Sequence, residues 1–173
     1  MFPGTHDITP DNFEACFTVL KKLLKVGNRV LVVSKPRLKL ITKICDQLKD
    51  YKNHLLFRFT IGSSNNKILS FWEPNAPTYD ERKEALKYAH RAGYRTSVSI
   101  EPMLDADNIE ALVDDLAPFV NHSIWIGIMN HPWYFDTGET AVKTEAGRQR
   151  VKRNKKYYGE KRVKGSHRKK KEY

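Results

Sequence analysis

Four short apolar runs, separated by helical patterns, constrain the fold of this chain more than any other feature. Val30–Ser34 and residues 55–61, 96–100 and 124–129 are rich in β-branched or aromatic residues, and their inner positions are almost continuously hydrophobic. Runs of this kind suit parallel strands covered by helices, whereas half-solvated antiparallel strands alternate polar and apolar residues. The segments between them carry helix punctuation. Thr9 reads as an N-cap with Pro10 at the first helical position; Phe13, Phe17, Leu20, Leu23 and Leu24 share a face, and Gly27 marks the stop. A second helix begins near Pro36 and carries Leu38, Ile41, Ile44, Cys45 and Leu48. A third opens with a Thr78-x-x-Glu81 capping box, buries Ala85, Leu86 and Ala89, and has Gly93 just past its end. A fourth starts at Asp107, with Glu110 three residues on, and buries Ile109, Leu112, Val113 and Leu116.

The order helix–β–α–β–α–β–α–β defines an α/β fold joined by right-handed parallel crossovers. It fits part of a (β/α) barrel or a doubly wound sheet, and strand count does not separate the two. In both, ligands bind at the carboxyl ends of the strands. Those ends are polar here. The first run closes on Ser34-Lys35-Pro36, and the second carries Arg58 and Thr60 before Gly62-Ser63-Ser64-Asn65-Asn66. The third contains Ser97 and Ser99 and closes on Glu101-Pro102; the fourth ends in Met129-Asn130-His131. Such a rim suits a zwitterionic, ribose-bearing ligand, with its carboxylate on Lys35 or Arg58 and its ribose hydroxyls on Glu101, Ser99 or Asn130.

Each residue also has a plainer reading. Arg58 sits between two phenylalanines, so it either faces the mouth of a barrel to bind an anion or pairs with a structural carboxylate. Glu73 either braces its loop or serves the site. His6 beside Asp7 reads as part of a loop hydrogen-bond network, since no second histidine stands at ligand spacing. There is no glycine-rich phosphate loop and no nucleophile elbow, and no residue is assigned a catalytic role.

At 173 residues the chain has room for one domain with a proper core. No apolar run reaches the roughly 20 residues that span a bilayer, and the N-terminus lacks the basic and apolar regions of a secretory signal. Cys16 and Cys45 read as buried thiols of a reduced, cytoplasmic protein rather than a disulfide framework. The net charge of +11 is concentrated at one end: residues 143–173 hold fourteen Lys or Arg against three Glu, which leaves seventeen basic and seventeen acidic residues in 1–142. The expected organisation is a neutral α/β body over 1–142 and a basic tail over 143–173, partly helical or disordered. Between Arg148 and Lys171 the tail suits electrostatic, sequence-insensitive contact with nucleic acid, Tyr157 and Tyr158 offering stacking surfaces.

The series MFPGTHDI, VLVVSKP, FRFTIGS, WEPNAPTYDERKEAL, AGYRTSVSIEPML and IWIGIMN, spanning about residues 1–130, resembles radical S-adenosylmethionine proteins of the spore-photoproduct-lyase-like group. The resemblance implies a partial, TIM-like (β/α) barrel with S-adenosylmethionine across its open mouth. It also implies that Lys35 and Thr60 match positions serving the cofactor's amino-acid part, that Ser97, Ser99 and Glu101 lie near its ribose, and that Asn130 ends the sixth strand of the family's barrel.

The family also carries Cys-x-x-x-Cys-x-x-Cys after its first strand, and those thiolates hold a [4Fe–4S] cluster whose fourth iron binds the cofactor. Cys16 and Cys45 lie on different helices and do not reproduce that motif. Aligned to the family, Met1 falls near the end of the second strand. The expectation is therefore the cofactor-side portion of a radical enzyme, inactive without a cluster-bearing segment or subunit. The rival expectations are a nucleic-acid-binding protein acting through its tail, and an unrelated barrel enzyme that binds an anionic metabolite through Arg58, Lys35 and Glu101.

Overall fold

A computed structural model of the chain describes residues 1–127. The expectations placed on Asn130, on the 143–173 tail and on nucleic-acid contact between Arg148 and Lys171 lie outside the described residues. Among the described residues no helix is long and apolar enough to cross a membrane.

The four apolar runs all become strands: β1 (Val30–Ser34), β2 (Leu55–Thr60), β3 (Arg95–Ile100) and β4 (Ser123–Ile126). They form one parallel sheet in the order β1-β2-β3-β4, with no reversal among them. Helices α1 (Phe13–Lys25), α2 (Leu38–Gln47), α3 (Asn66–Trp72), α4 (Tyr79–Arg91) and α5 (Ile109–Leu116) accompany them. Gly27 and Gly93 take φ values of +83° and +82° just past α1 and α4, which is the backbone turn that stops each helix.

Three helices start later than the sequence reading places them, α2 at Leu38 and not near Pro36, α5 at Ile109 and not at Asp107, and α1 at Phe13 and not at Pro10; the cap of α4 also differs. Residues 10–12 form a turn and α1 begins at Phe13, because the Asn12 side chain accepts from the Thr9 N–H at 2.9 Å and holds the chain in that turn. The capping box of α4 is half formed. Thr78 accepts from the Glu81 N–H at 3.3 Å, but the Glu81 carboxylate turns away to accept from the Leu38 N–H at 3.2 Å, capping α2 instead.

In a parallel ladder, residues in register point to the same side, so the pairing sorts the strands into two faces. One face carries Val32, Phe57, Phe59, Val98 and Ile100, all shut off from solvent. The helices bury Leu20 and Leu24 of α1, Ile41 and Ile44 of α2, Ala85, Leu86 and Ala89 of α4, and Leu112 and Leu116 of α5, with α1 beside β1, α4 beside β2 and β3, and α2 beside α4. Each large side chain buried there contributes roughly 1.5–3 kcal/mol. The opposite face carries Leu31, Val33, Leu56, Arg58, Thr60, Ser99 and Ser123, all half-buried, with Trp125 53% exposed. A parallel sheet is normally covered on both sides. Among the described residues the helices lie on one side, and none lies over the side that bears Arg58, Thr60, Ser97 and Ser99.

The free edge of β1 is occupied by a single residue. Phe2 donates to the Leu31 carbonyl at 2.8 Å and accepts from the Val33 N–H at 2.9 Å, making a parallel bridge to Val32. The segment after it is fastened to the end of β1: the Ile8 N–H donates to Ser34 Oγ at 3.0 Å, and Asp7 Oδ1 accepts from the Lys35 N–H at 2.7 Å. The N-terminal loop thus reaches the carboxyl-end rim, beside the strand-end residues singled out from the sequence.

Candidate functional site

The strand ends place the predicted residues in three groups. The first gathers around Lys35, directly after β1. Its ammonium lies 3.1 Å from Asp7 Oδ2 and 4.0 Å from Glu73 Oε1. Glu73 in turn pairs with Arg82 at 2.7 Å, its side chain 9% exposed and that of Arg82 fully buried. The remaining Arg82 donors go to backbone: Nε to the Pro77 carbonyl at 2.8 Å and Nη1 to the Thr60 carbonyl at 3.2 Å. One planar guanidinium therefore ties the end of β2 to the loop that holds Glu73. Acid and base alternate along Asp7, Lys35, Glu73 and Arg82, and the first three line an open cleft of about 450 Å³ with Arg37 and Trp72. This volume lies within the range of small-molecule sites.

The second group stands on the open sheet face. Val33, Arg58, Ser97 and Ser123 share one register row, and Thr60, Ser99 and Trp125 share the next row toward the carboxyl end. Arg58 Nε donates to Ser97 Oγ at 3.3 Å, and its guanidinium lies over the Trp125 ring at 4.9 Å from the centroid. Ser97 donates to the Ser123 carbonyl at 2.7 Å, while Trp125 Nε1 donates to Ser123 Oγ at 3.0 Å. Of the two sequence readings of Arg58, the structural carboxylate finds no counterpart among the described residues.

Glu101 forms the third group. It is exposed, just past β3, and its side chain lies against the backbone of Gly127 past β4, where a Cβ would meet Glu101 Cδ at 3.0 Å. The cleft at Lys35 is not lined by Arg58, Thr60, Ser97, Ser99 or Glu101. Predicted residues thus fall at three places: a charged cleft at the β1 and β2 ends, a polar sheet face running over β2 to β4, and Glu101 past the end of β3.

Several contributors escaped the sequence reading. Arg82 occupies the apolar stripe of α4, three and four positions before Ala85 and Leu86, and a charge in such a stripe signals a buried partner. Trp125 and Ser123 alternate along β4 in phase with Arg58 and Ser97, but a strand read as starting at 124 left Ser123 outside it. His6 meets the Thr5 hydroxyl at 3.5 Å and the Cys16 thiol at 3.8 Å, contacts of a loop network.

Both cysteines are buried, on α1 and α2. Burial pushes the Cys45 thiol up to about 12, with Asp46 adding to the effect and Lys52 opposing it; burial also raises Cys16. Neither is poised as a thiolate ligand. Among the described residues no three His, Cys, Asp or Glu side chains converge as a metal site.

No family profile matches the chain, and no solved structure does. It is similar to a protein of Acidianus two-tailed virus called "Uncharacterized protein ORF301", 28% identical over 130 residues that cover 74% of this chain and 42% of that protein. The chain spans about two fifths of the length of that curated relative.

Proposed function

We propose that this chain supplies the S-adenosylmethionine-binding side of a radical S-adenosylmethionine protein of the spore-photoproduct-lyase-like group, built on part of a TIM-like (β/α) barrel. One observation carries the reading. A singly wound parallel sheet keeps its helices on one face, and the face that no described helix covers bears Thr60, Ser97 and Ser99 leading to Glu101 at the rim. Closing such a sheet into a barrel would turn that face inward, where side chains line a lumen. The single-residue parallel bridge of Phe2 beside β1 is in keeping with a further strand position on that side.

The amino-acid part of the cofactor is a zwitterion, and the cleft offers both signs for it. Lys35 suits the carboxylate, while Asp7 and Glu73 suit the ammonium group. Ser99 and Glu101 suit ribose hydroxyls. In this family the cofactor, once bound to a reduced [4Fe–4S] cluster, supplies radical chemistry. The described residues do not fit that cluster, for want of three convergent thiolates or other ligands, so no step is assigned through it. The reading therefore requires a cluster-bearing segment or subunit, and residues 1–127 alone are inactive under it.

Titration calorimetry with S-adenosylmethionine, set against a sugar phosphate, tests the reading. Saturable binding of the cofactor, weakened about tenfold by Lys35→Ala, is expected. Binding of the sugar phosphate alone would favour the unrelated-barrel reading. The charge of the 143–173 segment supports a second function, nucleic-acid binding. Under it, deleting 143–173 abolishes retention of nucleic acid at low salt, and undiminished retention sinks it.

A further inference from the structure

We propose that Arg58, held between Ser97 and the Trp125 ring, anchors a site for an oxyanion, a carboxylate or phosphate group carried by a ligand other than the cofactor. The protein contains its own comparison. Arg82 is an arginine in a structural role: it is fully buried, its donors reach two carbonyls, and its charge meets Glu73 at 2.7 Å. Arg58 spends Nε on a neutral hydroxyl at 3.3 Å and lays its flat face on an indole. A guanidinium stacked in this way keeps its in-plane N–H groups directed outward, and the terminal fork matches two oxygens of a carboxylate or phosphate. Both Nη groups lack a partner among the described residues.

The surroundings favour an anion. The strand residues of the open face include no Asp or Glu, and Arg95 adds a second cation in the row below Arg58. The clamp is also preorganised. Ser97 is closed to solvent and fixed by its bond to the Ser123 carbonyl, and Trp125 is fixed through Ser123 Oγ. Ordering these side chains in advance lowers the cost of binding. Arg58 sits two residues before Thr60, about 6–7 Å deeper along the strand than the rim. A cofactor whose carboxylate is held at the Lys35 cleft leaves this position for another ligand.

The test uses the full chain, with sodium phosphate and sodium acetate as probes and sodium chloride at matched ionic strength as the reference. The chain has three tryptophans, so the Trp125 indole N–H resonance is assigned by its loss in Trp125→Phe. A saturable shift of that resonance with phosphate or acetate, but not chloride, is expected, and the probe that saturates at lower concentration identifies the source of the oxyanion. Arg58→Gln should abolish the shift. Arg58→Lys, which keeps the charge and loses the fork, should weaken it about tenfold. In the wild-type chain, phosphate at a concentration that saturates the resonance should leave the calorimetric affinity for S-adenosylmethionine within about twofold of its phosphate-free value.

A non-saturating wild-type shift, or one that chloride reproduces, overturns the site even if the variants fail to fold. So does a shift that survives in Arg58→Gln. Competition between phosphate and the cofactor would instead assign Arg58 to the cofactor's carboxylate. A saturable, Arg58-dependent shift in a chain that gives no heat with the cofactor supports the site and sinks the cofactor reading.

Discussion

Replacing Glu73 with glutamine tests whether the acid–base chain at the cleft supports the fold. The perturbation is nearly isosteric, so packing changes little and the charge is the main loss. Glu73 is 9% exposed and Arg82 fully buried, and they meet at 2.7 Å. Removing one partner of such a pair leaves the other charge uncompensated in a poor solvent, which typically costs about 3–5 kcal/mol. Two features place this case at the low end. Glutamine still presents an acceptor to Arg82, and the guanidinium keeps the Pro77 and Thr60 carbonyls. The expected loss is therefore about 3 kcal/mol, a large part of the ~5–15 kcal/mol that stabilises a domain. In urea, with slopes of about 1–3 kcal/mol per molar, the midpoint should fall by at least about 1 M by far-UV circular dichroism. The paired change Glu73→Leu with Arg82→Met removes the desolvated charge but also the donors to the Pro77 and Thr60 carbonyls, so it should recover only part of the loss. A Glu73→Gln midpoint within about 0.2 M of wild type at an unchanged slope would refute the reasoning. Equal instability of the apolar double variant would show that the bonds from Arg82 to the Pro77 and Thr60 carbonyls outweigh the charge.

Two further substitutions probe the rim and the helix layer. Gly62→Ala would put a Cβ 2.7 Å from the Pro102 carbonyl oxygen and 3.0 Å from Leu104 Cγ, so backbone must move; a loss of about 1–3 kcal/mol in the same urea assay is expected, and a neutral result would contradict the close approach. Asp115 accepts from Lys83 at 2.5 Å and from the Tyr79 hydroxyl, and these bonds, Lys83 first, lower its pKa from the ordinary 3.8. A lowered folded-state value means that its contribution is present above the unfolded value and is lost as pH falls through the folded one. Asp115→Asn should therefore be less stable than wild type at neutral pH and converge with it in acid; a gap that stays constant across the titration would rule the linkage out.

How much was legible follows from which forces act locally. The strands were readable because the residues they turn toward the helices are large and apolar, and Val30–Ser34 emerged with the expected bounds, alternating buried and half-buried. The stops at Gly27 and Gly93 were readable because a positive φ is a local demand on the backbone. The short α3 was not, since its seven residues bury only Leu69 and begin at an Asn65 side-chain cap within a run that looks like loop. Glu81 shows the same limit from the other side: the capping-box pattern was present, but a tertiary partner, the Leu38 N–H, claimed its carboxylate. Site residues on strands were found because their polarity breaks an apolar run. Trp125 breaks nothing, and its role depends on lying in register with Ser99 one row above Arg58.

The two cations singled out from the sequence, Lys35 and Arg58, looked interchangeable as carboxylate ligands, and their surroundings separate them. Lys35 stands between two carboxylates and shares a cleft with both, so any anion reaching it must compete with Asp7 and Glu73. A zwitterion avoids this competition by bringing its own ammonium group to those acids, whereas a simple anion does not. Arg58 faces hydroxyls and an indole, with a second arginine in the row below and no acid among the face's strand residues. A simple anion is favoured there, and a zwitterion's ammonium would meet only like charge and neutral dipoles. The two positions thus select different ligands by charge pattern alone. That selectivity predicts opposite responses to blocking the amino group: an N-acetylated amino acid should lose affinity for the Lys35 cleft while keeping its carboxylate's affinity for Arg58. Competition with phosphate at the Trp125 resonance, measured for the free and the acetylated amino acid, would expose the difference, and identical displacement by both would show that charge pattern does not sort the two positions.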